Sequence, residues 1–337
     1  MTTVFMREHN AICDRLHAAY PSWSDDQLFD KARLITAALI AKIHTIEWTP
    51  AILGHPTLQV GMRANWFGLA GEHVHKLWGR LGGSEVLSGI PGSETNHHAA
   101  PYSITEDFVT VYRMHPLIPD DYVIRGLTGA EEEQHEFMEI HGLHSHELLE
   151  RVPVADALFS LGTANPGAIT LHNHPRFMHR LMRTDDIPID LATVDILRSR
   201  ERGVPRYNEF RRLLRLNPAT SFDEIAAGDP ETAEQLRAVY GDDIEKVDTT
   251  VGMFGERLPK GFGFSDTAFR IFVLMASRRL KSDRFYTVDF TPRMYTPEGM
   301  AWLDDNDMIS VLLRHYPELA PALRTQRNAF APWPRPS

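Results

Sequence analysis

The most regular segment of the chain is a helix start followed by a long apolar stripe. Ser24-Asp25-Asp26-Gln27 has the form of a capping box, with a Ser cap, acidic residues in the first turn and Gln at the third helical position. Apolar residues then recur at steps of three and four, which predicts a helix with one buried face: Leu28, Ala32, Ile35, Leu39 and Ile43. We expect this helix to run to about Trp48, because Pro50 disfavours helical geometry at Thr49.

The helical pattern extends over most of the remaining chain. A second capping box, Ser103-Ile104-Thr105-Glu106, predicts a helix that continues through Phe108, Tyr112 and His115. The first ten residues resemble the interior of a helix, whereas residues 126–151 are polar, acidic and His-rich and indicate a solvated excursion. Further helices are predicted over residues 60–67, 191–200, 207–216, 233–240, 267–280 and 308–315. Without an alternating strand pattern, a repeat or a linker, the sequence predicts one mainly α unit over residues 1–337.

Composition narrows the classes of function. The 337 residues include 35 basic and 45 acidic side chains, a formal net charge of −10, which is opposite in sign to most proteins that bind nucleic-acid phosphates. We therefore expect no nucleic-acid partner. A single cysteine, Cys13, excludes an internal disulfide and a thiolate metal cluster. The apolar run Leu34–Ala41 is far shorter than the roughly 20 residues of a membrane helix.

Two groupings of His with neighbouring residues are candidates for chemistry. Tyr112 and His115 are three apart and would share a helical face, and imidazole is a common ligand of haem iron. By spacing alone, a hydrogen-bonded His near a helix end is the commoner explanation. His44, Trp48 and Thr49 follow an apolar helix, which fits either a buried pocket for a small anion or an amphipathic helix end.

Arginines and further histidines give two more candidates. Arg278 and Arg279 end an apolar helix; Arg can hold a carboxylate bidentately, but cations are also favoured at helix C-termini, and the pattern alone favours this second explanation. The pairs His97-His98 and His172/His174 lack a third ligand at metal-site spacing, which argues against a metal site there.

Several longer motifs occur in a fixed order along the chain. Four of them are Arg7–Asn10 (REHN), Tyr112–Pro116 (YRMHP), Arg200–Asn208 (RERGVPRYN) and Tyr240–Asp248 (YGDDIEKVD). With these motifs the chain resembles the animal-type haem peroxidase (peroxidase–cyclooxygenase) superfamily over nearly its whole length. Three more narrow the resemblance to the fatty acid α-dioxygenase branch: His44–Thr49 (HTIEWT), Gly61–Trp66 (GMRANW) and Pro101–Tyr112 (PYSITEDFVTVY). The resemblance implies a haem peroxidase-like helical fold.

The resemblance assigns roles around the haem residue by residue. His115 matches the proximal iron ligand, and Asn208 matches the residue that hydrogen-bonds the other ring nitrogen of that ligand. Tyr112 matches the tyrosine whose radical abstracts hydrogen in the oxygenating members. True peroxidases of the superfamily carry another residue at this position, so Tyr112 favours an oxygenase.

The resemblance also assigns a binding site for the substrate carboxylate. His44 and Thr49 match residues that hold the carboxylate of a fatty acid. One of Arg278 and Arg279 should complete the site, and we prefer Arg278. Such a clamp would place the carbon next to the carboxylate at the tyrosyl oxygen.

The implied function is haem b-dependent α-dioxygenation of a long-chain fatty acid with O2, started by a peroxide activator and giving a 2-hydroperoxy acid. The first alternative is a general haem peroxidase that uses H2O2. The second is an inactive fragment, or one that requires a partner chain. We expect a cytoplasmic protein, with peripheral membrane contact left open.

The start of this chain differs from the family pattern. In the family the distal His and the calcium-binding loop lie upstream of the REHN motif, but only six residues precede Arg7 here. We therefore expect an N-terminally incomplete domain that is the C-terminal portion of an α-dioxygenase. It would lack the calcium loop, and a partner chain is one source for the distal half.

Overall fold

The structure, a computed structural model, describes residues 1–99, 103–129, 132–183 and 185–335, with the side chains of Ser277 and Arg278 left outside. Within them, the α-helices are α1 (Thr2–Ala19), α2 (Asp25–Ile43), α3 (Thr49–Ile52), α4 (Pro56–Phe67), α5 (Gly71–Trp78), α6 (Glu85–Ser88), α7 (Glu106–Val111), α8 (His144–Arg151), α9 (Val154–Thr163), α10 (Leu191–Glu201), α11 (Tyr207–Leu213), α12 (Phe222–Ile225), α13 (Pro230–Tyr240), α14 (Thr249–Gly255), α15 (Asp266–Ser282), α16 (Pro292–Tyr295), α17 (Pro297–Asp305), α18 (Met308–His315) and α19 (Ala320–Leu323). The predicted mainly α class is confirmed. Among the described helices, none is long and apolar enough to cross a membrane.

Shorter elements connect these helices. A π-helix covers His44–Trp48, and 3-10 helices cover His115–Leu117, Phe137–Glu139, Arg176–Arg180, Ile244–Lys246 and Pro317–Leu319. The strands are β1 (Asp121–Arg125), β2 (Glu132–Glu136), β3 (Leu181–Met182) and β4 (Pro188–Ile189). They pair antiparallel as β1–β2 and β3–β4.

The predicted helix start at Ser24 is confirmed in detail. Its hydroxyl accepts from the Gln27 backbone N–H at 3.3 Å, and the Gln27 side chain accepts from the Ser24 N–H at 2.9 Å. The stripe of α2 then packs on α1 and on α17. Together with α18 these helices form the largest apolar cluster, so helices from both ends of the chain share one core.

The predicted end of this helix at Trp48 is wrong. The chain passes from α2 through the π-helix His44–Trp48 directly into α3, with Thr49 and Pro50 helical. The Thr49 N–H bonds to the carbonyl of His44, five residues back. A π turn shifts the hydrogen-bond register by one residue, and Pro50, which has no N–H, is tolerated at the start of the new segment.

The structure also contains short strands, for which the sequence has no alternating pattern. β2 and α8 fall within the segment expected to be a solvated excursion, and β1 directly precedes it. β2 consists of polar residues and alternates only between exposed and half-buried positions. A short polar ribbon of this kind lacks the apolar alternation by which strands are recognised in a sequence.

A second apolar cluster lies where α7, α14 and α15 meet. Its members include Val111 on α7, Met253 on α14 and Phe272 on α15, all of them nearly fully buried. This cluster supports the residues that the sequence singled out around Tyr112.

Candidate functional site

The helix before Tyr112 is shorter than predicted. α7 begins after Thr105, whose hydroxyl accepts from the Phe108 N–H, so Thr105 rather than Ser103 is the cap. α7 ends at Val111, Tyr112 follows as its C-cap, and His115 lies in a separate 3-10 helix. A continued helix would drive the ring of Pro116 into the carbonyl of Tyr112. The predicted shared helical face of Tyr112 and His115 is therefore wrong, and each of them lines its own cavity.

Tyr112 and His44 line the same cavity. This space of about 320 Å³, the Tyr112 cavity, is bounded by α2, the π-helix, α4, α7 and α15. Apart from Tyr112 and His44, most of its lining is apolar: Ile40, Met62, Phe108, Phe272, Ala276 and Leu280 are among its members. The structure thus brings together two residues that are 68 positions apart in the sequence.

Aromatic contacts fix both side chains. The rings of Tyr112 and Phe272 are nearly parallel, with planes 7° apart and centroids 6.0 Å apart. The His44 ring lies 6.4 Å from the same Phe272 ring and stacks on Trp48 at 4.8 Å. Phe272 is only 1% exposed, so a rigid core ring supports both polar side chains.

Burial favours the uncharged form of both groups. It raises the pKa of the Tyr112 phenol and lowers the pKa of the His44 imidazole. At neutral pH both are uncharged, so the phenol keeps its proton and the imidazole offers one N–H donor. A neutral phenol is the form from which a hydrogen atom can be removed.

Thr49 is buried behind His44. It is 1% exposed, and its hydroxyl donates to the His44 carbonyl at 2.8 Å. The hydroxyl has a single proton, so binding a carboxylate would require it to turn away from that carbonyl. The role of Thr49 as a carboxylate ligand stays a prediction.

The two candidate arginines lie in the last turns of α15. Phe272, Ala276 and Leu280 of this helix line the Tyr112 cavity. Arg279 follows Phe272 by seven residues, which is two helical turns, so its position is on the same face. The side chain of Arg278, which we preferred, lies outside the described residues.

His115 lines a second, smaller cavity of about 140 Å³, the His115 cavity. Its Nδ1 lies 3.3 Å from Oδ2 of Asp195 on α10, and Asp195 is 4% exposed. Arg113 places a guanidinium nitrogen 3.1 Å from the other carboxylate oxygen. The His174 ring stands edge-on to His115 at 5.8 Å, and both of its ring nitrogens are buried without a hydrogen-bond partner.

Asn208 makes other contacts. Its Nδ2 donates to the Ala219 carbonyl at 3.0 Å and to Glu245 at 3.1 Å, and its Oδ1 accepts from the Ala219 N–H at 2.8 Å. All three groups belong to its local surroundings near α11. The structure therefore does not bring Asn208 to His115, and the acidic partner of His115 is Asp195.

No local signal in the sequence points to Asp195. It lies on a predicted helix, 80 residues after His115, as one charged residue among several. Only the packing of α10 against α7 brings it close. Among the described residues, no group of three or more His, Cys, Asp or Glu could hold a metal ion.

Comparison with known protein sequences gives independent evidence on the family. The model of the animal haem peroxidase family matches residues 1–330. Alpha-dioxygenase PIOX of Oryza sativa subsp. japonica is 41% identical over 99% of this chain and 56% of its own length. Alpha-dioxygenase 2 of Arabidopsis thaliana is 42% identical over 99% and 55%, respectively. The chain thus spans little more than half the length of these relatives.

Solved structures show the same likeness. The crystal structure of Oryza sativa fatty acid alpha-dioxygenase superposes with a TM-score of 0.92 at 41% identity, over 99% of this chain and 57% of that one. The fatty acid alpha-dioxygenase of Arabidopsis thaliana gives 0.93 at 38% identity, over 99% and 54%. A tyrosine-to-phenylalanine variant of the rice protein has been solved with palmitic acid. The resemblance and the helical fold expected from the motifs are confirmed.

Proposed function

The chain belongs to the animal haem peroxidase family, and from this premise we propose that it acts in haem-dependent α-dioxygenation of a long-chain fatty acid. The observation that carries the proposal is the placement of Tyr112 and His44 in one cavity. Hydrogen abstraction next to a carboxylate needs an oxidisable phenol and an anion-binding group close together. Because the chain spans little more than half of its relatives' length, its activity, substrate and partners are all part of the proposal.

The surroundings of His115 are those expected for a histidine that ligates haem iron. An imidazole whose Nδ1 faces a buried carboxylate keeps Nε2 for a metal, which is the usual arrangement of a ligating His. The His115 cavity, at about 140 Å³, is smaller than the roughly 300–1,000 Å³ of typical cofactor pockets, so a macrocycle would extend beyond it. The oxidising equivalent that converts Tyr112 to a radical is the chemistry that a bound haem supplies.

Tyr112 would carry the hydrogen in both directions. The phenoxyl oxygen takes one hydrogen atom from C2 of the fatty acid, which restores the phenol and leaves a carbon radical. O2 adds at C2 and gives a peroxyl radical. This radical takes the hydrogen atom back from the Tyr112 hydroxyl, so that the 2-hydroperoxy acid is released and the phenoxyl is ready for another cycle.

The substrate carboxylate would bind at His44, in the cavity that Tyr112 also lines. His44 offers a neutral N–H donor, and Arg279 is the cation whose helical register points to the same face of α15. Charge-assisted hydrogen bonds from such donors hold a carboxylate firmly in an apolar surrounding. Thr49 and Arg278 remain further candidates for this clamp.

A product assay tests the proposal. The purified chain, loaded with haemin, is incubated with palmitate, O2 and a trace of peroxide, and the products are identified by mass spectrometry. We expect 2-hydroperoxypalmitate, and we expect Tyr112→Phe to abolish it while oxidation of a small phenolic reductant by peroxide continues. Peroxidase turnover without any C2 product from the wild-type chain would instead support the general peroxidase.

A further inference from the structure

We infer that Phe272 is a positioning residue: its ring fixes the angle of the Tyr112 phenol relative to His44 and so selects which hydrogen atom of the fatty acid is removed. The inference rests on the proposed function, because it concerns the hydrogen abstraction assigned there to Tyr112. In that step one C–H bond of the substrate breaks, and the hydrogen atom forms the O–H bond of the phenol. The selectivity of the step is then set by a side chain that takes no part in the chemistry.

The orientation of the Tyr112 ring depends on packing. Among the described residues, none forms a hydrogen bond with its hydroxyl, and 40% of the residue is exposed. Phe108, one turn earlier, lies beside it with centroids 4.9 Å apart and planes 31° apart. Phe272 lies beside it at 6.0 Å with planes only 7° apart. Of these two rings, Phe272 comes from a different helix, so it is the one that ties the phenol to the far wall of the cavity.

The Phe272 ring is itself held in the core. It is 1% exposed, and Phe264 packs edge-on against it with centroids 5.3 Å apart. Both belong to the apolar cluster where α7, α14 and α15 meet, which also contains Val111, the residue before Tyr112. Close-packed core side chains stay in one rotamer, so the ring face that Phe272 presents to the phenol is constant.

The same ring contacts the other polar group of the cavity. The His44 imidazole lies 6.4 Å from Phe272, with planes 35° apart, and all three side chains line the Tyr112 cavity. A carboxylate bound at His44 and a phenol oriented by Phe272 therefore share one reference. Selection of one hydrogen atom requires such alignment, because a misplacement of about 1 Å reduces the rate of a reaction roughly 100-fold.

Loss of core packing alone predicts a different result. Phe210 on α11 belongs to the same apolar cluster and is 3% exposed, so replacing it with Leu disturbs the core in a comparable way. In the described part of the chain, Phe210 is not among the residues that line the Tyr112 cavity. Phe210→Leu should therefore lower the melting temperature and leave the selectivity unchanged, whereas Phe272→Leu should change both.

The test uses the haem-loaded whole chain and two palmitates that carry a single deuterium at C2 in opposite configurations. The deuterium kept in each product gives the preference between the two C2 hydrogen atoms. We expect a strong preference in wild type and a preference about 2–10-fold smaller in Phe272→Leu, the range that corresponds to the loss of an aromatic pair. The KM for palmitate should rise as well, because His44 loses the same contact. Phe210→Leu should keep the wild-type preference.

A spectroscopic readout separates this effect from turnover. The EPR spectrum of a tyrosyl radical depends on the angle between its ring and the Cβ hydrogens, so a fixed ring gives resolved splittings and a mobile ring gives broad lines. The radical is generated with peroxide in the absence of fatty acid and assigned to Tyr112 by its loss in Tyr112→Phe. We expect resolved splittings in wild type and Phe210→Leu, and broad lines in Phe272→Leu.

Each contrary result has a distinct meaning. A wild-type chain that forms no C2 product would overturn the proposed function and this inference with it. A C2 product whose deuterium content, together with the radical spectrum, is the same in wild type and Phe272→Leu would overturn the inference alone. An equal loss of preference in Phe210→Leu would do the same, because it assigns the effect to core packing. If Phe272→Leu does not fold, Phe272→Met takes its place with the same expected results, since an unbranched Met adapts to the space at a smaller cost.

Discussion

The indole of Trp48 stacks on the imidazole of His44, with centroids 4.8 Å apart and planes 26° apart. The two residues are the ends of the π-helix, and His44 lines the Tyr112 cavity. The stack therefore determines how the candidate carboxylate ligand faces that cavity.

Replacing this indole should weaken substrate binding. Aromatic pairs of this kind contribute about 0.5–1.5 kcal/mol beyond their buried area, which corresponds to roughly a 2–10-fold increase in KM for palmitate in Trp48→Leu. Trp48→Phe keeps a ring and should stay closer to wild type. The palmitate dependence of oxygen uptake measures the effect, and equal KM values in wild type and Trp48→Leu would show that the stack does not position His44.

The Tyr112 cavity borders a second cavity along α2. Ala37 and Tyr286 line both this cavity and a second one of about 610 Å³, which also contacts Trp23 and Phe285. A long acyl chain with its carboxylate at His44 would extend past Ala37.

If the acyl chain takes this path, a larger side chain at Ala37 should select against long chains. We expect Ala37→Phe to lower kcat/KM for palmitate much more than for a medium-chain acid. Ala37→Ser, which adds little volume, serves as the control. A uniform loss across chain lengths would indicate that the acyl chain takes another path.

Glu47 gives the stability of the chain a specific pH dependence. It lies in the π-helix, accepts from the Met308 N–H, and has its pKa raised from 4.5 to about 7, mainly by burial and then by Asp307, against the opposing effects of Lys42 and Arg63. Between about pH 4.5 and pH 7 the folded chain binds more protons than the unfolded chain. The free energy of unfolding therefore falls as the pH rises through this range, by roughly 3 kcal/mol in total.

Glu47→Gln isolates this effect. The amide can still accept from the Met308 N–H but does not ionise. The variant should match wild type in its melting temperature near about pH 5 and exceed it above about pH 8. Parallel melting temperatures across this pH range would rule out Glu47 as the titrating group.

Glu8 joins α1 to the C-terminal helices. It is fully buried, and its carboxylate accepts from Trp302 at 2.8 Å, from Arg314 at 2.6 Å and from His315 at 2.7 Å. Glu8→Gln leaves the Arg314 charge without its counterion in this core, and we expect a loss of about 3 kcal/mol in the free energy of unfolding.

An exposed ion pair provides the control for this change. Arg33 and Asp30 are 3.9 Å apart with most of both side chains in solvent, so Asp30→Asn should cost less than about 0.5 kcal/mol. Urea denaturation measures both variants. A Glu8→Gln loss no larger than that of Asp30→Asn would contradict a stabilising role for the buried cluster.

The parts of the fold that could be predicted are those with local signals. The stripe of α2 and the bounds of α18 followed from periodicity and capping, because neighbouring residues alone determine them. The π-helix could not be predicted in this way, since a shift of the hydrogen-bond register by one residue leaves the apolar pattern almost unchanged. The β1–β2 hairpin was missed because β2 is polar throughout and β1 is only five residues long, with no alternation in its burial.

The candidate site divides in the same way. The motifs pointed to Tyr112, His115 and His44, and the structure adds that Tyr112 and His44 share a cavity while His115 has its own. Asp195 could not be predicted, because its contact with His115 joins segments 80 residues apart and arises only from the packing of α10 on α7. The predicted hydrogen bond between Asn208 and His115 is not made, because the Asn208 amide donates instead to the Ala219 carbonyl and to Glu245.

The proposed dioxygenation at C2 is tested most directly by isotopes that label the hydrogen atoms at C2 and the incoming oxygen. The haem-loaded chain is incubated under 18O2 with palmitate that carries deuterium at both C2 positions, and the mass of the product is measured by mass spectrometry. We expect a hydroperoxy acid that has one deuterium left at C2 and both atoms of one 18O2 molecule. A product that keeps both deuterium atoms at C2, or that carries no 18O, would contradict the proposed reaction.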